Sequence, residues 1–162
     1  MSTESNCESE PVVPNLEHIA QLTVHISEPV ESGRNIRGNR RIIPITGGQV
    51  TGPRLFGRLL PGGADFQLIR TDGVSEIEAR YVIETEDGHR IYIRNVGVRH
   101  GPQEAIDRLN RGELVDPGLI YFRTVVSFET EAKDLQWLMR DLFVGTGARF
   151  PDHVELNWFR VA

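Results

Sequence analysis

Between residues 44 and 73 lie seven of the chain's sixteen glycines and three of its nine prolines. Short β-branched and aromatic runs separate them. Glycine admits positive φ and close backbone approach, while proline fixes φ and lacks a donor. Strands that bulge and bend sharply suit that mixture; a helix does not. Within the stretch, Asp65 and Gln67 stand two apart in a strand-like run just after Gly62-Gly63. Both therefore point to one face. If that face is a barrel interior, burial raises the carboxyl pKa toward that of a useful general base, and Gln67 orients a substrate hydroxyl or carbonyl. The alternative is that Asp65 caps the turn and Gln67 faces solvent.

The flanking sequence reads mostly as strand. Residues 1 to 14 are expected to form a disordered leader, and residues 15 to 162 a single β-barrel domain. Residues 16 to 26 set Ile19, Leu22, Val24 and Ile26 in a strand pattern. Residues 28 to 41 read as a polar loop with Arg34, Arg37, Arg40 and Arg41, either solvated or capping a pocket toward an anionic group. The glycine-rich centre offers strands over residues 41 to 45, 48 to 60 and 64 to 70. Ile77, Ala79, Tyr81 and Ile83 alternate with mostly charged neighbours, and Glu86-Asp87-Gly88 joins them to a partner strand from Arg90 to Val98.

Pro102 and Gly112 bracket a short helix expected at the surface. Residues 119 to 128 read as a strand buried on both faces. Thr130 fits a helix N-cap before Leu135, Leu138, Met139 and Leu142, with Gly145 and Gly147 ending that helix. Residues 153 to 161 supply the last strand. Hairpin-length connections and glycine corners predict a single closed, or nearly closed, antiparallel β-barrel with one or two short helices.

Composition excludes several functions. A net charge of -5 argues against nonspecific nucleic-acid binding. No apolar run approaches the length needed to cross a membrane. Residues 1 to 10 lack the features of a signal peptide, and Cys7 is the lone cysteine, which suits a cytoplasmic protein. The five histidines show no zinc spacing, and neither a phosphate-binding loop, a dinucleotide fingerprint nor a serine-nucleophile elbow is present. No metal and no cofactor are expected.

The ordered pieces Gly38-Asn39-Arg40, Pro44-Ile45-Thr46-Gly47-Gly48, Gly52-Pro53 and Leu60-Pro61-Gly62-Gly63-Ala64-Asp65 resemble the domain-of-unknown-function 3237 family. Asp72-Gly73, Glu86-Asp87-Gly88, Ile91-Tyr92, Asn95-Val96-Gly97-Val98-Arg99 and Trp137-Leu138 extend the resemblance, which covers residues 16 to 161. It implies a β-barrel similar to allene oxide cyclase and dirigent proteins. A few fungal relatives are associated with ring closure, in which a hydroxyl adds across an activated double bond. Two departures bear on the substrate. Phe66 stands where the family often has tryptophan, and Met139 where a polar residue is common.

The candidate catalytic residues are Asp65 and Asn95. Candidate substrate contacts are Arg40, Gln67, Tyr81, Tyr92, Arg99 and Trp137. Arg40, Asn95 and Arg99 can donate to a developing enolate oxygen, with ion pairing or turn bonding as the structural alternative. Tyr81 and Tyr92 are expected on different faces, so at most one lines a cavity. Trp137 fits a core position as well as a stacking platform. Three readings follow: a cofactor-independent isomerase or cyclase on a small oxygenated, partly apolar metabolite; a barrel that binds such a ligand without chemistry; or a structural homo-oligomer, with a dimer as its simplest form.

Overall fold

Antiparallel pairing organises the computed structural model, which describes residues 9 to 162. The strands are β1 (Leu16–Ile26), β2 (Val30–Asn35), β3 (Gly38–Thr51), β4 (Gly57–Leu59) and β5 (Gly63–Arg70). They continue as β6 (Ser75–Thr85), β7 (Arg90–His100), β8 (Tyr121–Glu129), β9 (Phe143–Arg149) and β10 (His153–Val161). Among the described residues one α-helix, α1 (Gln103–Asn110), interrupts them. Eight strands close a ring in the order β1, β10, β9, β8, β7, β6, β5, β3, and the pairing of β3 with β1 seals it. This is the closed antiparallel barrel that the glycine corners and hairpin turns predict. Closure leaves the ring without an unpaired edge.

Of the expected leader, residues 1 to 8 lie outside the described residues. Residues 9 to 14 are exposed and carry no regular structure. Next to them Asn15 and Ala162 exchange two backbone hydrogen bonds of 2.8 Å.

The fourteen-residue β3 serves two seams. Its first half pairs with β5 and β2, and its second with β1 and β4. The change of partner occurs at Gly47 and Gly48, whose φ values are +152° and +147°. A Cβ on Gly48 would lie 2.1 Å from the Thr23 carbonyl oxygen. The stretch from Val30 to Arg41, expected as a loop, is instead the β2–β3 hairpin. Its polarity reflects exposure of β2 along its whole length.

The inner half of each alternating strand fills the barrel. Phe128, Phe143 and Trp158 pack edge to face, with centroids 5.0 and 5.3 Å apart. Strand β8 alternates cleanly, with Phe122, Thr124, Val126 and Phe128 inside and Val125 60% exposed. It is therefore not buried on both faces, because the outer surface of a one-layer ring meets solvent. Nor do Gly145 and Gly147 end a helix. They lie in β9, where added Cβ atoms would come within 3.1 Å of the Trp158 ring and 2.6 Å of the Phe122 ring. Their missing side chains make room for those aromatics.

The two ends of the barrel are covered differently. At one, Lys133–Met139 forms a 3-10 turn rather than an α-helix; Leu138 is buried while Met139 and Leu142 are exposed. With three residues per turn, the spacing of Leu135, Leu138, Met139 and Leu142 no longer defines one face. Thr130 still receives a hydrogen bond from the Ala132 N–H at 3.2 Å. At the other end, α1 buries Ala105, Ile106 and Leu109, so it is a packed cover and not a free surface excursion.

Candidate active site

Beneath α1 the lumen is not filled. A cavity giving about 40 Å³ to the centre of a water-sized sphere is lined by Asp65, Tyr81, Asn95, Arg99 and Arg149 among aliphatic residues such as Ile43, Ile45 and Val154. That is room for a few waters or a compact organic group. Ile26 and Arg149 also border an outer groove with Asn110, Glu31 and Asp152, so these two side chains stand between the cavity and the groove.

Period-two geometry places each polar group. Asp65 and Gln67 share the inner face of β5, Tyr81 that of β6, and Asn95 and Arg99 that of β7. The Asp65 carboxylate accepts from the Glu78 backbone N–H at 3.0 Å through Oδ1, and from Gln67 Nε2 at 3.1 Å through Oδ2. Gln67 Oε1 in turn accepts from Arg41 Nε at 2.8 Å. Arginine only donates and an ionised carboxylate only accepts, so one amide orientation alone satisfies both neighbours. Gln67 is thus a buried link from Arg41 to Asp65 rather than a group presented to substrate. Two wall donors leave lone pairs free on each Asp65 oxygen, and these are where a proton can reside.

Burial raises the Asp65 pKa above the ordinary carboxylate value; the Glu78 N–H, Arg99, Gln67 and Arg149 oppose it. Burial also drives the Tyr81 phenol upward, so it is a neutral donor at physiological pH. The Arg99 guanidinium is pulled down to about 9 by burial and then by the neighbouring Arg149 cation, and Arg149 to about 10, chiefly by burial. Both remain charged at neutral pH. Arg41 is also lowered by burial, with Glu31 and Asp65 opposing.

Several of these groups lack protein partners. The Tyr81 hydroxyl, Asn95 Oδ1, Arg99 Nε, and Nε and Nη1 of Arg149 are buried without a hydrogen-bond partner among the described residues. Tyr81 and Asn95 are near enough to influence one another, but their geometry falls short of a hydrogen bond. Such groups are costly to bury unless something else meets them.

The other sequence candidates lie elsewhere. Arg40 is outside the lumen, where its Nη1 donates to the Phe66 carbonyl at 3.2 Å. The Tyr92 hydroxyl accepts from Arg80 Nη1 at 3.2 Å on the outer surface, so Tyr81 and Tyr92 do occupy opposite faces. Trp137 packs on Phe143 at the far end beneath the Arg54 guanidinium, 4.1 Å from its ring centre. Sequence reasoning placed Arg41 in a loop, solvated or capping a pocket, and did not name Arg149. Stepping back by twos from Ile45 and Ile43 points Arg41 inward and Arg40 outward; the same step from Phe143 reaches Arg149.

A raised folded-state pKa has a stability consequence. Asp65 supports the folded state fully only below its unfolded pKa, near 3.9, and loses that contribution as pH rises through the folded value. Relative to wild type, the melting temperature of Asp65→Asn should therefore climb as pH rises above about 4. Thermal scans of both proteins across that range check it; a constant difference would remove the carboxyl shift from consideration.

Among the described residues no cluster of three His, Cys, Asp or Glu side chains could hold a metal, and no helix is long and apolar enough to cross a membrane. The sequence profile of a family described as "Protein of unknown function (DUF3237)" matches residues 14–161. A UPF0311 protein of Rhodopseudomonas palustris is 47% identical over 152 residues, covering 93% of this chain and 99% of that one. A crystal structure of a conserved protein of unknown function from the same organism superposes with a TM-score of 0.91 at 45% identity, over 94% of this chain and all of that one. More distantly, an enzyme from Penicillium herquei shares the fold, with a TM-score of 0.72 at 20% identity, 96% of this chain and 99% of that one being covered.

Proposed function

This chain belongs to the DUF3237 family of proteins of unknown function, and we propose that its lumen is the active site of a cofactor-independent isomerase or cyclase. Its substrate is a small, oxygenated, partly apolar metabolite. The observation that carries this reading is the Asp65 carboxyl, raised in pKa and turned toward a cavity beside the unpartnered Tyr81 hydroxyl and Asn95 Oδ1. A general base needs that combination of proton affinity and access. That the fold-sharing Penicillium protein is described as an enzyme supports catalysis without indicating which reaction.

The chemistry needs no external reagent. Asp65 takes the proton of a substrate hydroxyl that donates its hydrogen bond to the carboxylate. The hydroxyl oxygen attacks the β-carbon of a carbonyl-conjugated double bond, and the π electrons move onto the carbonyl oxygen. Arg99 and the neutral Tyr81 hydroxyl stabilise that enolate. Asp65 then returns its proton to the α-carbon, so substrate and product are isomers. An aliphatic wall keeps bulk water from competing.

Native mass spectrometry of gently purified protein, followed by denaturation, releases any retained metabolite. Returned to fresh protein in D₂O, that metabolite should cyclise or gain carbon-bound deuterium, as read by NMR. Tight binding with neither change would leave a non-catalytic ligand-binding barrel. A homodimer through the outer face of β8, where Val125 is 60% and Tyr121 47% exposed, is a second proposal. The same spectrum reads its subunit count.

A further inference from the structure

The lumen holds three buried guanidinium groups, those of Arg41, Arg99 and Arg149, against the single carboxylate of Asp65. Arg41 is well served: it reaches Gln67, the Asn110 carbonyl at 3.1 Å and Glu31 at 3.8 Å. Arg99 has Asn110 Oδ1 at 3.4 Å and lies over the Phe122 ring, 5.6 Å from its centre. Arg149 has nothing comparable. It is 6% exposed, and two of its nitrogens are buried without an acceptor. The acidic groups nearby are engaged elsewhere: Asp152 with His153 at 2.7 Å, and Glu31 with Asn39 at 3.1 Å. An unserved buried cation is expensive, and a matching anion removes most of that penalty.

From this imbalance we propose that the substrate carries a carboxylate, which docks on Arg149 where the lumen meets the outer groove while the substrate's apolar body lies against Val24, Ile43 and Val154. Arg149 is then a specificity-determining residue, a role that rests on the proton-transfer reading of the same lumen. One negative charge balances the one unserved guanidinium. A phosphate dianion would exceed that charge and bring more acceptor oxygens than the aliphatic wall can meet. The carboxylate also fixes the distance from the docking point to Asp65, which limits substrates to those whose reactive hydroxyl falls at the carboxyl.

The test pairs acids with their neutral amides: butanoate with butanamide, and benzoate with benzamide. Wild type should gain about 3 to 6 °C in melting temperature at tenfold excess over the dissociation constant of an acid, and far less from its amide. Arg149→Met should weaken acid binding by about 10- to 100-fold and leave amide binding unchanged. Its unliganded melting temperature should match or exceed that of wild type, since a partnerless charge has gone. Should that variant not fold, Arg149→Lys must show the same preference for acids with lower affinity. Equal response to acids and amides, acid binding untouched in the variant, or a stronger response to inorganic phosphate would overturn the proposal. Asp65→Asn should retain acid binding. If it does, and wild type turns over no released metabolite, proton transfer fails and the carboxylate site stands. Loss of acid preference with intact Asp65-dependent turnover is the reverse case.

Discussion

Asp65→Asn should lower turnover of the released metabolite by about 10²- to 10⁴-fold while the barrel stays folded. The replacement keeps the shape and the hydrogen bond from the Glu78 N–H, and removes the only acidic side chain that lines the cavity among the described residues. Its cost is local. The new amide NH₂ faces the Gln67 NH₂, and turning Gln67 to accept from it takes away the oxygen that holds Arg41 Nε. One frustrated pair of this kind costs about 1–3 kcal/mol, part of which is returned by removing a partly desolvated charge. Single-turnover rates and circular dichroism separate the two effects. A folded variant with wild-type rates would exclude Asp65 as the base.

Gly48→Ala should destabilise the protein by about 2–4 kcal/mol, and so lower its melting temperature by about 5–15 °C. Two causes combine there. The backbone holds φ at +147°, and the added methyl would meet the Thr23 carbonyl oxygen at 2.1 Å in a seam where both backbones are paired. Gly62 supplies the control. Its φ is +105°, yet nothing lies within 4 Å of the Cβ position. Gly62→Ala should therefore cost only the backbone strain, about 1–2 kcal/mol. Urea titrations of the two variants settle the comparison. Equal losses would mean that φ alone, and not the approach of β1 to β3, governs the corner.

Both residues lie in the glycine-rich stretch, and what could be read there depended on period. A two-residue repeat is a local signal. It set Asp65 with Gln67, put Tyr81 and Tyr92 on opposite faces, and predicted the hairpin across Glu86-Asp87-Gly88. It fails where the inward residue is not apolar. In the β2–β3 hairpin the inward residues include Arg41, and polarity concealed the strand. In β9 the inward positions are Phe143, Gly145, Gly147 and Arg149, where glycines answer to rings on neighbouring strands. Those rings are distant in sequence, so the glycines read as helix stops. The 3-10 turn was hidden for a related reason. Trp137 and Leu138 take their places from the barrel end they pack on, and no local repeat encodes it.

The pairing of β1 with both β10 and β3 gives this ring an order of assembly. Hairpins such as β6–β7 can form as soon as their residues leave the ribosome. The wall between β1 and β10 cannot, because its two strands, Leu16–Ile26 and His153–Val161, are far apart in sequence. Until β10 is synthesised the ring stays open, and Arg41, Arg99 and Asp65 are expected to remain hydrated. Their desolvation belongs to the final closure, when β10 brings in Trp158 and joins β1. Long-range pairing of this kind makes folding slow, and an uphill electrostatic step placed at its end makes it slower. Burying the charged groups of the lumen is thus expected to slow the step at which a newly made chain becomes a closed barrel.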